Sequence, residues 1–423
     1  MIGHLLRMIW NQRWQNGWLW AELLLVSVVL WFFVDYLYVT GRTRMEPLGF
    51  DVEHVYKISF GNLDDAAPGY LPPESRGEGK TDGALMVELL ERMRAYPGVE
   101  AVCFSDFGLP YVSGSRYMNW QLDTLRFHSR YVRVSPDYFE VFRTTDEAGS
   151  SGSLSKVLRE AGENGMIATS DVGKDSPDFH LALGQQLTNV YWKDTYLRLI
   201  GICRPIRRCE YDPVRPLLFI PFTESKLAKD YDGEMGTIEV CIRVRPEADR
   251  ADFARQFRSE LAKQVRGGNF YLLDVTPLSE IRASYLRAQG VENEVKTRMA
   301  ISLFLLVNIF LGIIGTFWFR TEYRKGEMGL RMALGSTRRQ LNSILVGEGV
   351  LLLVLAFIPS LAISINIAHM DLIDTYLLPF TWSRFAICGG ITFALIALMI
   401  ICGVWYPARS TARLEPAEAL RYE

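Results

Sequence analysis

Histidine and cysteine are both scarce in this chain of 423 residues, with five and six copies. His4, His54, His128, His180 and His369 each stand without a neighbour at ligand spacing, and no Cys/His pattern resembles a zinc site. Glu163, Asp171, Asp175 and Asp178 are scattered through a polar tract and read as solvated side chains rather than metal ligands. No Ser/His/Asp or Cys/His set suggests nucleophilic catalysis, so the sequence carries no positive sign of an enzyme. Net charge is lacking too: Lys+Arg 46 against Asp+Glu 48 leaves −2, which gives nucleic acid no bulk electrostatic attraction. A phosphate loop is also missing. The tract "GEGKTDG" (Gly77–Gly83) needs a glycine where Glu74 stands, and no apolar strand precedes it.

Long apolar runs are what the chain does have. Trp18–Tyr38, Met299–Phe319, Ile344–Ala368 and Phe385–Tyr406 are each long enough to cross a hydrocarbon core of roughly 30 Å at about 1.5 Å per residue. The first carries Glu22 and Asp35 near its ends, and the third carries Glu348 and Pro359. Arg7 and Arg13 precede the first run, but no small-x-small cleavage site follows it, so it is expected to stay as a span. Lys and Arg set the orientation. Arg320, Arg324, Lys325, Arg331, Arg338 and Arg339 crowd the loop after the second run, and Arg409, Arg413 and Arg421 lie in the tail. The loop "HMDLIDTYLLPFTWSR" holds only Arg384, which is expected to be replaceable without effect on the opposite face. Both termini and the arginine loop are therefore expected in the cytoplasm, and the large polar region outside it.

That region reads as α+β. "FDVEHVYKISF", "GALMVELLERMRAYPGVE" and "VEAVCFS" form one strand–helix–strand pattern, and "TIEVCIRVR", "DRADFARQFRSELAKQV" and "NFYLLDVTPL" form another. Between them come "YVRVSPDYFEVF", "GMIATSDVG", "TYLRLIGICRPI" and "PLLFIPF", short strands that predict a β-rich insertion in a split βαβ subdomain. "TTDEAGSSGSLSKV" is Gly/Ser-rich and reads as a mobile surface loop, and a single helix is expected from Leu278 into the second span, with Gly290 the one strong breaker. Of the cysteines, Cys388 and Cys402 read as packing residues in the fourth span. Cys103, Cys203, Cys209 and Cys241 lie outside, where disulfides are permitted. A loop-closing Cys203–Cys209 bridge is open, with unpaired cysteines the expected state.

The loop "RKGEMGLRMALGSTRRQ" (Arg324–Gln340) is more ordered than a span connection requires. Glu327 and Arg331 have the i,i+4 spacing of a helical ion pair, and Leu330 and Leu334 share a face. Gly335 stands where a helix C′ residue would, and Thr337-x-x-Gln340 has the capping-box form for the next helix. A helix–turn–helix DNA reader would be tethered by spans on both sides, and a cytoplasmic docking element is the better expectation. In the tail, Pro407 is expected to stop the fourth span and Pro416 to open a last short helix.

These residues resemble a known family. "RKGEMGLRMALGSTRRQLNSILVGEGVLL", with Glu348 a dozen residues past its Ala-Leu-Gly, is similar to the FtsX-like permease domain, and "YPARSTARLEPAEALRYE" is similar to its C-terminal ending. "VRVSPDYFEVF" and "LGQQL…LRLIGICR" look like the MacB-type periplasmic core domain, although "RTTDEAGSSGS" replaces the family's Gly-Arg-aromatic stretch. The resemblance implies a permease of the MacB/FtsX/LolC type that passes ATP-driven motion to its periplasmic domain, for efflux or lipoprotein extraction. The other branch it implies is a transmembrane signalling subunit that regulates a periplasmic enzyme. It implies no enzyme activity and no cofactor here, since ATP would be bound by a separate ABC ATPase. Further implied partners are a second, identical or related permease, with a periplasmic adaptor and outer-membrane channel as additional candidates, and no nucleic acid. Its ATPase-coupling residues map to Glu327, Gly329, Arg331, Ala333, Leu334, Gly335, Arg338 and Arg339, and its cytoplasmic C-terminal motif to Pro407, Ala408, Pro416, Ala419, Leu420 and Arg421. The expected organisation is a cytoplasmic segment 1–17, span 18–38, MacB-like periplasmic domain with stalk helix 39–298, and span 299–319. A coupling loop 320–343, span 344–368, periplasmic loop 369–384, span 385–406 and cytoplasmic tail 407–423 follow, in a bacterial inner membrane.

Overall fold

The computed structural model describes residues 13–72, 81–122, 125–174, 179–189, 196–229, 237–262, 266–324, 326, 330–331 and 334–411. The chain gathers into two compact units, Glu46–Glu292 and a flanking unit of Met1–Met45 with Asn293–Glu423. Helix α1 (Arg13–Met45) belongs to the flanking unit.

The central unit opens with β1 (Val55–Asn62), α2 (Asp82–Arg94) and β2 (Val99–Asp106), and the pattern repeats much later as β9 (Ile238–Val244), α6 (Phe253–Leu261) and β11 (Phe270–Pro277). Strand β9 lies between β1 and β2, antiparallel to both, and β11 pairs antiparallel with β1 on its other side. The two βαβ repeats thus interleave into one sheet, as the split pattern in the sequence predicts. Period-two alternation divides its faces. Tyr56, Ile58, Val102, Phe104, Val240 and Ile242 meet the helices, where Leu89 and Met93 of α2 and Phe253 and Phe257 of α6 complete the core. Thr81 caps α2, accepting from the Ala84 amide, and donates to Ala228 O of helix α5 (Glu224–Lys229). A Cβ on Gly83 would lie 1.8 Å from Leu227 O. The described end of the "GEGKTDG" tract is therefore a helix start pressed against a neighbour, and Lys80 lies outside the described residues.

Between the repeats run β3 (Arg116–Leu122), β4 (Leu125–Val134), β5 (Gly165–Thr169), β6 (Gln186–Asn189), β7 (Tyr196–Cys203) and β8 (Leu217–Pro221). They pair in the order β4-β3-β6-β7-β5-β8, and β8 pairs back onto β4. The β-rich insertion is thus a closed ring of strands, which removes the exposed edges an open sheet would offer. Trp120, Tyr131, Met166, Leu187, Leu199 and Leu218 fill one core, while the alternate residues Val132, Ile167 and Phe219 join another with Phe139 and Phe142. A short pairing of Ser105 and Asp106 with Val134 and Arg133 links the ring to β2.

Two expectations are corrected here. The tract read as a mobile loop contains helix α4 (Ser151–Ala161), which buries Leu154 and Leu158 one turn apart. Asp146 accepts from the Ser150 amide and from Ser153 Oγ, and Ser150 Oγ accepts from the Ser153 amide, so the serines that suggested mobility are caps. The expected continuous helix from Leu278 is two helices, α7 (Leu278–Ala288) and α8 (Val291–Tyr323). Gly290 between them takes φ +70, which ends α7 with the Gly290 amide on Arg287 O. The described cysteines, Cys203 and Cys209 included, are free.

Glu239, near the start of the interior strand β9, is nearly buried. Its Oε2 accepts from the Leu109 amide at 2.8 Å and from Ser105 Oγ at 3.1 Å. Burial raises its pKa above the ordinary glutamate range, with those two donors opposing the shift. A raised folded-state value means that the group favours the fold below its unfolded pKa, and that this contribution is lost as pH rises through the folded value. Glu239→Gln should therefore raise the thermal unfolding midpoint at pH 7. The gain should vanish by about pH 4, where the wild-type carboxyl is itself protonated. A gain independent of pH would contradict the assignment.

Candidate functional site

Four described helices are long and apolar enough to cross a membrane: α1, α8, α9 (Arg338–His369) and α10 (Trp382–Thr411). Two of them run through proline. Helix α9 contains Pro359, and α10 continues past Pro407 to Thr411, although its apolar span, Trp382–Val404, ends before that proline. Proline removes one backbone donor, and membrane helices tolerate that loss because neighbouring groups re-satisfy the freed carbonyl. Met299, Leu303, Phe304 and Phe319 of α8 stand exposed, as a helix solvated by lipid requires.

An ionic knot ties three of these helices at one end. Glu348 of α9 is 1% exposed. One of its oxygens takes Arg320 of α8, and Oε2 takes Arg324 Nη1 at 2.6 Å, just past the α8 C-terminus. Arg320 also donates to Asn16 Oδ1 of α1 at 2.8 Å. Arginines four positions apart lie on one helix face, so a single carboxylate can receive both. The helices approach closely enough because a Cβ on Gly349 would lie 2.8 Å from the Phe317 ring and 2.7 Å from Ile400. Thr316 Oγ1 donates to Glu22 Oε1 at 3.2 Å one turn away. Counting Arg320 and Arg324 as loop charges missed this knot; the signal available in the sequence was a lone glutamate inside an apolar run, which demands a partner.

Beyond the knot lies the capped turn. The Leu334 amide donates to Leu330 O at 3.1 Å and the Ser336 amide to Arg331 O at 3.0 Å, the long closing bond of a Schellman motif. Gly335, its C′ residue, takes φ +96, and a Cβ there would meet nothing within 4 Å. Thr337 and Gln340 form the capping box that starts α9, through Thr337 N to Gln340 Oε1 at 2.9 Å and Gln340 N to Thr337 Oγ1 at 3.3 Å. The geometry expected of both residues is present. Leu330, Leu334 and Arg339 are exposed on this turn, and Arg331 is half-buried. Arg338 opens α9. Glu327, Gly329 and Ala333 lie outside the described residues, as do Pro416, Ala419, Leu420 and Arg421, while Pro407 and Ala408 are in α10.

A second buried pair stands at the other end of α1. Arg384 donates from Nε to Asp35 Oδ1 at 2.8 Å and from Nη2 to Asp35 Oδ2 at 2.6 Å, and its Nη1 reaches Asp374 O at 3.1 Å and Leu378 O at 2.5 Å. Arg384 is 1% exposed and Asp35 2%. Arg384 is thus a buried ion-pair partner, and removing it would strand a buried carboxylate.

Residues 299–416, within this unit, match the FtsX-like permease C-terminal family. The chain is homologous to the ABC transporter permease YknZ of Bacillus subtilis (strain 168), at 26% identity over 209 residues, and the match spans 49% of each chain. The matched stretch is thus about half the length of that curated relative. The periplasmic region of MacB from Actinobacillus actinomycetemcomitans is similar at 12% identity and TM-score 0.32, covering 59% of this chain and 98% of the other. A domain of a permease protein from Porphyromonas gingivalis gives 15% and 0.35, over 55% and 92%. The extracellular domain of the transporter YknZ from Gram-positive bacteria gives 10% and 0.30, over 52% and 100%.

Asp35→Ala should destabilise the membrane unit by about 3–5 kcal/mol, because it leaves Arg384 buried and unpaired. Asp35→Leu combined with Arg384→Met should recover most of that loss. Unfolding midpoints of the full chain in detergent check both, and equal damage in single and double variants would show that the pair is not the cause.

Proposed function

We propose that this chain is the transmembrane subunit of an ABC transporter, driven by a separate cytoplasmic ATPase and working on its large domain outside the cytoplasm. The observation that carries the reading is the capped turn at Gly335. It offers two exposed leucines and a basic rim between α8 and α9, the two helix segments that the buried Glu348 clamp joins. A partner that pushes on this turn would displace α8 and α9 together, since Glu348 joins them through two arginines. Homology to an ABC transporter permease and the FtsX-like domain support the same reading. The Lys and Arg bias supports a bacterial inner-membrane placement with both termini and the turn inside. Export, lipoprotein extraction and control of a periplasmic enzyme are all uses to which such a motion could be put, and the first two suit the large outer domain better. ATP would be bound by the partner, and a second permease subunit would complete the transporter.

A left-handed residue with free space around it separates backbone strain from packing. Gly335→Val would add about 1–2 kcal/mol of local strain without any clash. It should leave insertion and folding intact while lowering permease-stimulated ATPase activity several-fold, and Glu327→Arg should do the same. Met370→Ala, exposed at the far end of α9, should couple like wild type and serves as the control. Wild-type coupling in Gly335→Val and Glu327→Arg would remove the turn from the mechanism.

Orientation is checked separately. An export-dependent reporter inserted after Pro68, in an exposed turn, should be active, and one fused after Tyr422 should be silent. The reverse pattern would invert the topology.

A further inference from the structure

We propose that Cys103 and Cys241, free thiols in this structure, become joined in an oxidising compartment by a disulfide across the central β2–β9 seam of the large domain. Cys103 of β2 and Cys241 of β9 are direct partners in an antiparallel register that runs unbroken from Ala101↔Arg243 to Asp106↔Ile238. Directly opposed residues in such a pair have Cα atoms about 4.5–5.5 Å apart and side chains on the same face. That separation lies inside the range of about 4.4–6.8 Å that a disulfide spans. Each of the two residues is 1% exposed. Both sit on the face turned away from α2 and α6, in the core that also holds Tyr138 and Phe139. Cys203 and Cys209, the pair nearest in sequence, belong to different clusters.

Burial, with Cys241 alongside, pushes the Cys103 thiol well above its ordinary pKa, so the finished fold offers little thiolate for exchange. The bond therefore forms during folding, as the seam comes together. One cysteine thiolate attacks a donor disulfide and releases one donor sulfur as a thiol. The other cysteine then attacks the resulting mixed disulfide, forming the Sγ–Sγ bond and releasing the second donor sulfur. Two electrons and two protons pass from the cysteines to the donor, which leaves as its dithiol. The oxidant class is a protein or small-molecule disulfide of an oxidising compartment, so the inference rests on the extracytoplasmic placement proposed above. Its effect is to staple β9 of the second βαβ repeat to β2, one of the two strands of the first repeat between which β9 lies.

Thiols are blocked with N-ethylmaleimide in intact cells expressing the full-length chain, which is then purified, denatured in the same reagent and digested without reductant. Mass mapping should find the peptides of Cys103 and Cys241 linked, with Cys203 and Cys209 alkylated. Recovery of Cys103 and Cys241 as alkylated thiols, or linked to any other cysteine, overturns the inference. The reporter after Pro68 tells the two failures apart: an active reporter with free thiols sinks the disulfide alone, and a silent reporter sinks the placement and the disulfide with it. Reductant should lower the unfolding midpoint of the wild-type chain by several degrees and leave Cys103→Ala/Cys241→Ala unmoved. An identical response in the two proteins would also overturn it.

Discussion

A carboxylate carried on an apolar helix has few ways to survive, and Glu348 shows one of them. Held almost out of solvent, it must be neutral or paired, and here two guanidinium groups from the adjoining helix end reach it. The pairing dictates much around it. Gly349 has no side chain because α8 must come within reach, and Asn16 completes the donors of Arg320. The capped turn at Gly335 lies in the chain between Arg324 and Glu348, two members of that cluster. A flexible loop in the same place would absorb a push rather than transmit it.

The large domain is organised by a different constraint, the need to leave few strand edges open. The β ring closes on itself through β8 and β4, and the interleaved repeats place β9 between the two strands that precede the insertion. Each half thus depends on chain segments far apart in sequence. The residues joining the halves, Ser105 and Asp106 with Val134 and Arg133, are few, but Asp106 is fully buried and takes both Arg133 and Arg116. Charge reinforces the link where backbone pairing is brief.

What could be read from the sequence was local in origin. Gly335 and Thr337 were legible because a C′ glycine and a capping box are set by residues within one turn of each other. The two βαβ repeats were legible because their periodicities survive the long insertion between them. Helix α4 was missed because Gly and Ser are weak helix formers, and its stability comes from Asp146, Ser150 and two buried leucines rather than from propensity. The closure of β8 onto β4, the Asp35–Arg384 pair and the Cys103–Cys241 register are contacts between distant segments, and no window on the sequence contains both partners. Arg384 was the most misleading residue: a single basic side chain at the end of a short loop looks like solvent-facing charge until its carboxylate is found on another helix.

The separation of Asp35 from Arg384, 349 positions along the chain, bears on how the protein is made. A ribosome delivers the first span to the membrane long before the last one exists. Throughout that interval Asp35 has no guanidinium to answer it. Arg384 arrives at the head of the final span, and the helix bundle can close only then. Truncated or stalled chains would keep an unanswered acid at the membrane, a local defect that quality-control proteases could recognise without inspecting the rest of the fold.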